Sequence, residues 1–339
     1  MRLLVIGGTR FLGRHVVDCA QARDHELTLF NRGRTDPSPI AGVEQVHGDR
    51  ERDLRLLVGR SWDAVIDTSG YWPHAVRASA ELLAEKVDRY AFVSSISAYG
   101  SFPEPGLDED APTAPDPPAD ASDVMEHYAE LKASCERVVE SVLPGRALVI
   151  RPGLIVGPRD PTDRFTYWLR RLADGGRVLA PRAPDQPVQL IDVRDLAGWM
   201  VRMVEQGGAG VYNATGPAEP LRLGPVLERI ATAAGGRSEL VWVDEEWLAD
   251  AGVQPWDELP MWLDLPRHPD FRGLCTVDVR RAVSAGLEFR ALEETVADTL
   301  AWDRRRAEGS GRAEEVPLPP RAGLARDREA ELIRTVGGA

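Results

Sequence analysis

The sequence predicts an α/β fold: a doubly wound parallel sheet with a smaller, mostly C-terminal α/β lobe. Three observations predict it. Strand-like apolar runs alternate with helix-length amphipathic stretches through the first half, the first run ends in a glycine pair that opens straight into a helix, and after Arg151 the alternation loosens as Pro and Gly become frequent. Strands that alternate with helices pair in parallel, since each helix carries the chain back across one face of the sheet.

The apolar run Leu3 to Ile6 reads as a buried strand, Gly7-Gly8 as the turn that ends it, and Phe11 to Cys19 as the following helix. Further strands are expected at Glu26 to Phe30, Val43 to Val46, Ala64 to Asp67, Tyr90 to Ser94 and Ala147 to Ile150, with helices at Ala75 to Glu85 and Val124 to Val142. Val188 to Val193 and Gly210 to Asn213 look like strands that return to the sheet, so the two lobes interleave. The expected division is residues 1–156 with 186–216 for the sheet domain and 157–185 with 217–308 for the second lobe, whose body carries Trp242, Trp247, Trp256 and Trp262. Residues 309–339 read as a tail holding the Val316 to Pro320 segment and a short helix at Arg328 to Val336.

At 339 residues the chain is long enough to bury a substantial core. A formal charge of −13 argues against a surface built to neutralise nucleic-acid phosphates, which needs clustered Lys and Arg. Cys19, Cys135 and Cys275 lack the spacing of metal ligands, so no metal site is expected and the thiols read as reduced. The chain starts on a core strand with no apolar leader, and no run is long enough to span a bilayer, which points to a cytoplasmic protein without a membrane partner. Of 41 cationic side chains only Lys86 and Lys132 are lysines, so each lysine merits attention.

A strand, a tight glycine turn and a helix N-terminus together form a pyrophosphate cradle, because free backbone N–H groups and the helix dipole both favour negative charge. The second chemical signal is Tyr128-Ala129-Glu130-Leu131-Lys132, where the four-residue spacing sets a phenol and an ammonium on one helix face. A tyrosine with an ordinary pKa near 10 is a poor base at neutral pH unless a nearby positive charge favours the phenolate, and Lys132 is placed to supply it. A hydroxyl to hold the reacting oxygen is available from Ser94, Ser95 or Ser97, where a strand runs out into a loop.

These residues resemble the short-chain dehydrogenase/reductase superfamily of the extended type, close to its NAD-dependent epimerase/dehydratase branch and the atypical members with a GGTxFxG turn. The likeness runs over about 300 residues in the expected order: Gly7 to Gly13, Ser94 to Gly100, Tyr128 with Lys132, Arg151 to Pro158, Asp192 to Asp195 and Tyr212 to Gly216. The resemblance implies a Rossmann domain, hydride transfer at a nicotinamide, and Ser95, Tyr128 and Lys132 as the catalytic set, with Lys132 also on the nicotinamide ribose. It further implies cofactor contacts from Gly7, Thr9, Arg10, Phe11, Leu12, Gly13, Asn31, Arg32, Arg34, Asp49, Arg50, Ser69 and Gly70. Substrate contacts are expected from Tyr71, Ser97, Leu154 and Trp256. A homodimer follows from the family habit of pairing the Tyr-Lys helix and its neighbour in a four-helix bundle.

Three departures from the family pattern refine this expectation. Arg10 stands where GxxGxxG has its middle glycine, which keeps the turn and adds a cation. About twenty residues past the turn, where an acid would bind the ribose 2′-hydroxyl of NAD, the chain reads Asn31-Arg32-Gly33-Arg34. Arginines there suit a 2′-phosphate, so NADP(H) is preferred over NAD(H). Leu154 replaces an Asn common in sugar-nucleotide epimerases, which disfavours a UDP-hexose, and the Pro-rich stretch Ser101 to Pro118 reads as a lid. The expected activity is therefore NADP(H)-dependent oxidoreduction of a small carbonyl or alcohol. The alternatives are an NAD-dependent sugar epimerase or dehydratase, and a non-catalytic cofactor-sensing or RNA-binding relative.

Overall fold

The sheet grows from apolar runs that the chain buries on both faces. In the computed structural model, which describes residues 1–34, 40–308 and 322–337, the first half is built from β1 (Arg2–Ile6), α1 (Phe11–Gln21), β2 (Glu26–Asn31), β3 (Glu44–His47), β4 (Ala64–Asp67), α2 (Pro73–Leu83), β5 (Arg89–Val93), α3 (Tyr128–Val142) and β6 (Ala147–Pro152). The second half adds β7 (Leu154–Val156), α4 (Arg164–Ala173), β8 (Gly176–Pro181), β9 (Pro187–Val188), β10 (Leu190–Asp192), α5 (Val193–Glu205), β11 (Gly210–Ala214), β12 (Leu221–Arg222), α6 (Leu223–Ala234), β13 (Ser238–Val243), α7 (Glu245–Asp250), α8 (Arg280–Ser284), α9 (Leu292–Ala307) and α10 (Arg326–Gly337).

Seven strands form one parallel sheet in the order β11-β6-β5-β4-β1-β2-β3. The chain winds from β1 towards β3 and then restarts on the other side at β4, so the switch of direction opens a crevice at the carboxyl ends of β1 and β4. One face of the sheet packs on α1 and α5 through Val5, Val16, Leu29, Ile66 and Trp199. The opposite face packs on α2 and α3 through Ile6, Val76, Phe92, Cys135 and Val139. Each such aliphatic side chain, fully withdrawn from water, contributes about 2 kcal/mol of transfer free energy. The doubly wound sheet expected from the alternation of strands and helices is the one observed.

Two elements differ from expectation. The stretch 188–193 does not rejoin the main sheet: it divides into β9, which pairs with β12, and β10, which pairs with β7, and only β11 returns, alongside β6. The helix expected from Val124 begins instead at Tyr128, because the Asp123 carboxylate accepts the backbone N–H groups of Met125 and Glu126 and holds that stretch in a turn.

The second lobe is organised around the parallel pair β8 and β13, with α4, α6 and α9 closing on Trp168, Leu179, Leu227, Trp262 and Val296. Helix α10 lies on this lobe: Leu324 and Ile333 enter its core, and the buried Glu329 carboxylate accepts from Arg171 Nε at 2.7 Å and from the Leu179 N–H at 3.0 Å. The Val316 to Pro320 segment falls outside the described residues.

Candidate active site

The glycine turn dictates the first wall of the site. Gly7 and Gly8 follow β1 with φ of +103° and +86°, two successive left-handed values that only glycine adopts without strain. A Cβ on Gly13 would lie 2.8 Å from the Gly8 Cα, so the first turn of α1 is pressed against the loop and its free N–H groups are held towards the crevice. That helix has no acid in its first turn and no side-chain cap, and Arg10 stands at its N-cap. A cavity of about 700 Å³ opens here, bordered by Gly7, Thr9, Arg10, Phe11, Leu12 and Gly13.

The cavity runs outward to the ends of β2 and β3. Asn31 is nearly buried; its Oδ1 accepts the Gly33 N–H at 2.8 Å, while its Nδ2 has no hydrogen-bond partner among the described residues. A buried amide donor left open towards a cavity is costly unless a ligand oxygen meets it, so this end fits an adenosine ribose. Arg32 and Arg34 are exposed on the same rim and, like Arg10, make no ion pair among the described residues. Asp49 borders the cavity and accepts the Glu51 N–H at 3.0 Å. Arg50 lies there too, yet its guanidinium is turned to Asp67, at 3.0 and 2.8 Å, and to Ser79. The terminal nitrogens of Arg50 are thus engaged at the end of β4, while its Nε has no partner among the described residues.

At the inner end, Tyr128, Ser95 and Lys132 all border the same cavity, on α3, on the loop after β5 and one helical turn along α3. Tyr128 and Ser95 border this end together, and the Ser95 Oγ donates to Ser97 Oγ at 3.1 Å and accepts the Ser97 N–H at 3.1 Å. Lys132 is 4% exposed; its Nζ donates to the carbonyls of Gly70 and Val93, both at 2.8 Å, between the rings of Tyr71 and Phe92. Burial pushes the ammonium down to about 8.

Tyr128 behaves differently from the sequence expectation. Burial, with the Tyr71 phenol beside it, pushes its pKa up to about 12, and the nearby Ser95 hydroxyl opposes the rise only in part. Lys132 does not lower it in this structure, because the ammonium is spent on two backbone carbonyls instead of facing the phenol. The helix that carries both groups is pinned to the sheet by Glu136, whose buried carboxylate meets Arg151 on β6 at 2.7 to 3.2 Å.

The remaining expected residues divide. Ser69 and Tyr71 border the cavity, whereas Gly70 lies behind it and contributes the carbonyl that holds Lys132. Ser97, Leu154 and Trp256 lie outside the cavity lining. Strand alternation explains Leu154: on β7 it packs towards the second lobe and leaves Ile155 on the cavity. Trp256 is half-buried in that lobe, donating its backbone N–H to the Trp262 carbonyl, with its ring beneath the Arg164 guanidinium. The 101–118 stretch is no lid over this cavity: Phe102 is buried and bonded to Asp270, and Glu109 accepts the Asn213 N–H at 2.8 Å. Trp72, Val124, Pro152 and Pro161 border the cavity without having been anticipated; Pro152 alone carried a signal, inside the Arg151 to Pro158 run.

Comparison with known proteins agrees with this geometry. Residues 3–215 match the NAD dependent epimerase/dehydratase family. The chain is similar to 2′-dehydrokanamycin reductase of Streptomyces kanamyceticus, 28% identical over 286 residues that cover 76% of each protein. It is also similar to the chloroplast stem-loop binding protein of 41 kDa b of Arabidopsis thaliana, 28% identical over 242 residues, or 63% of this chain and 58% of that protein. Among solved structures, the Bordetella bronchiseptica enzyme WbmH in complex with NAD+ covers 89% of this chain and 98% of its own, with a TM-score of 0.64 at 18% identity. Human epimerase family protein SDR39U1 with NADPH covers 89% and 99%, with a TM-score of 0.60 at 20% identity. At these identities the two structures speak for the fold. No helix among the described residues is long and apolar enough to cross a membrane.

Proposed function

The chain belongs to the NAD dependent epimerase/dehydratase family, and on that premise we propose that it is an NADP(H)-dependent oxidoreductase acting on a small carbonyl or alcohol. One observation carries this reading: a single cavity joins an arginine-bearing rim, with Asn31 where an acid would favour NAD, to a phenol and a serine hydroxyl that both border its inner end. The similarity to a reductase supports the same direction of chemistry.

The residues present fit a nicotinamide dinucleotide. The Gly7 to Gly13 turn offers backbone N–H groups to a pyrophosphate, the open Asn31 Nδ2 faces the ribose end, and Arg10, Arg32 and Arg34 surround the place of a 2′-phosphate. Bound there, the cofactor supplies or accepts a hydride. Ser95 holds the substrate oxygen, and Tyr128 gives it a proton in reduction or takes one in oxidation. A phenol with a pKa near 12 is well suited to stay protonated until that moment. Lys132 orients the loop after β4 through the Gly70 carbonyl and keeps one N–H for a ribose hydroxyl. The formal charge of −13 favours a small-molecule substrate over nucleic acid, and pairing through α2 and α3 would make a homodimer.

The test is direct binding of NADPH and NADH, followed by NADPH oxidation with a panel of small aldehydes, ketones and diketones that includes phenanthrenequinone. Tighter binding of NADPH with net oxidation is expected. A purified protein that retains NAD and shows no net oxidation with any carbonyl would instead support the epimerase reading.

A further inference from the structure

We propose that the ring of Tyr71 is the platform on which the substrate lies, and that the site selects uncharged planar aromatic carbonyl compounds, quinones and aryl ketones, over aliphatic or charged ones. This inference deepens the oxidoreductase reading of the same site and rests on it for the carbonyl. Tyr71 borders the cavity and is 44% exposed, although an aromatic ring is among the side chains that gain most from being covered. A ring left open at the mouth of a site has a free face for a ligand.

The ring is exposed but not loose. Residues 68–72 join β4 to α2, and this loop is held from both sides. The Ser69 N–H donates to Asp67 at 3.1 Å, Lys132 Nζ donates to the Gly70 carbonyl at 2.8 Å, and Pro73 opens α2 directly after Trp72. Gly70 is packed so closely that a Cβ there would lie 2.6 Å from the Phe92 ring and 2.8 Å from Val76. Lys132 Nζ also stands over the Tyr71 ring, 5.0 Å from its centroid. A cation over one face fixes the plane of the ring and leaves the opposite face to a ligand, and a ring held in advance lowers the ordering cost of binding. Because Lys132 is one helical turn from Tyr128, the platform stands at the same end of the cavity as the phenol that exchanges the proton.

The lining decides what kind of molecule fits there. From Thr68 onward along the chain, Lys132 is the only charged residue bordering the cavity among the described residues, and Tyr71, Trp72, Val124, Ile155 and Pro161 make the wall apolar. The arginines and acids of the lining all precede Thr68 and sit on the segments after β1, β2 and β3. A diphosphate or carboxylate on the substrate would meet no cation at this end but a buried ammonium already bonded to two carbonyls, and an unpaired buried charge is costly. Stacking on a fixed phenol asks only for a π face, and it leaves a carbonyl at the ligand's edge free to meet Tyr128 and Ser95.

Two readouts test this. Calorimetric titration of the NADP+-saturated protein with phenanthrenequinone needs no turnover. Tyr71→Ala is expected to weaken binding about tenfold, and Tyr71→Phe to stay within about threefold of the unaltered protein. An affinity unmoved in Tyr71→Ala, or no binding to the unaltered protein, overturns the proposal. The second readout compares NADPH oxidation by phenanthrenequinone and by diacetyl, which carries the same pair of carbonyls without the rings. Tyr71→Ala is expected to lower the ratio of their kcat/KM values about tenfold, chiefly through KM for the quinone, and Tyr71→Phe to restore it. An unchanged ratio with both compounds still reduced removes the aromatic platform alone. Phenanthrenequinone bound through Tyr71 with no NADPH oxidised by either compound removes the oxidoreductase reading and leaves the platform standing.

Discussion

The Arg50 guanidinium meets the Asp67 carboxylate through two hydrogen bonds, 3.0 and 2.8 Å long, at the carboxyl end of β4. Asp67 is wholly buried and also accepts from the Tyr90 hydroxyl at 2.8 Å and from the Ser69 N–H at 3.1 Å. One carboxylate thus ties the segment after β3 and the start of β5 to the end of β4 and the loop that borders the cavity. Removing one member of a buried pair strands the other charge, so Asp67→Ala is expected to cost about 3 to 5 kcal/mol in urea unfolding. A loss below about 1 kcal/mol would show that the pair carries little weight.

Tyr128→Phe removes the phenolic proton proposed to pass to a substrate oxygen while keeping the ring that fills the space. Turnover is expected to fall by at least about a hundredfold. Cofactor affinity, measured by fluorescence titration, should stay within about twofold, since the cradle made by Gly7 to Gly13 lies elsewhere in the cavity.

Arg32→Asp exchanges a cation on the outer rim for an acid that suits a ribose hydroxyl. Loss of one charge-assisted bond is worth about 1.5 to 3 kcal/mol, so NADPH affinity is expected to drop about tenfold or more while NADH gains or holds. The NADPH affinity of the unaltered protein should also weaken as salt is raised, since the rim arginines are exposed. An unchanged ratio of the two affinities would remove Arg32 from cofactor selection.

Asp160 gives a pH signature that can be isolated by difference. Its carboxyl is fully buried; Oδ1 accepts from Thr162 N and Oγ1, both at 2.8 Å, and Oδ2 has no partner among the described residues. Burial pushes its pKa up from 3.8 to about 6. An acid whose folded pKa is raised binds its proton more tightly in the native state, so stability falls as pH rises from about 4 to 6, and the cost is complete above that range. Asp160→Asn is expected to relieve up to about 3 kcal/mol at pH 7 and almost nothing at pH 3.5, as read from paired urea unfolding curves. A difference independent of pH would show that the group does not titrate in this window.

Much of the architecture was legible because it depends on local pattern. Alternating apolar runs and amphipathic stretches define a parallel sheet wherever they occur, and Gly7, Gly8 and Gly13 mark a turn whose geometry other residues cannot adopt. The missed helix start at Tyr128 turned on a side chain, Asp123, competing for backbone N–H groups that the periodicity had assigned to the helix.

The order of the chain by itself determined the doubly wound sheet, the glycine cradle, and the placing of Tyr128 and Lys132 on one helix, because each follows from spacing along a single element. Tertiary structure alone decided what those groups face. It turned Lys132 to the Gly70 and Val93 carbonyls, gave Arg50 to Asp67, and sent Leu154 and Trp256 into the second lobe. These outcomes depend on partners brought together from distant parts of the chain, and in a low-dielectric interior a charge goes to whichever partner satisfies it best.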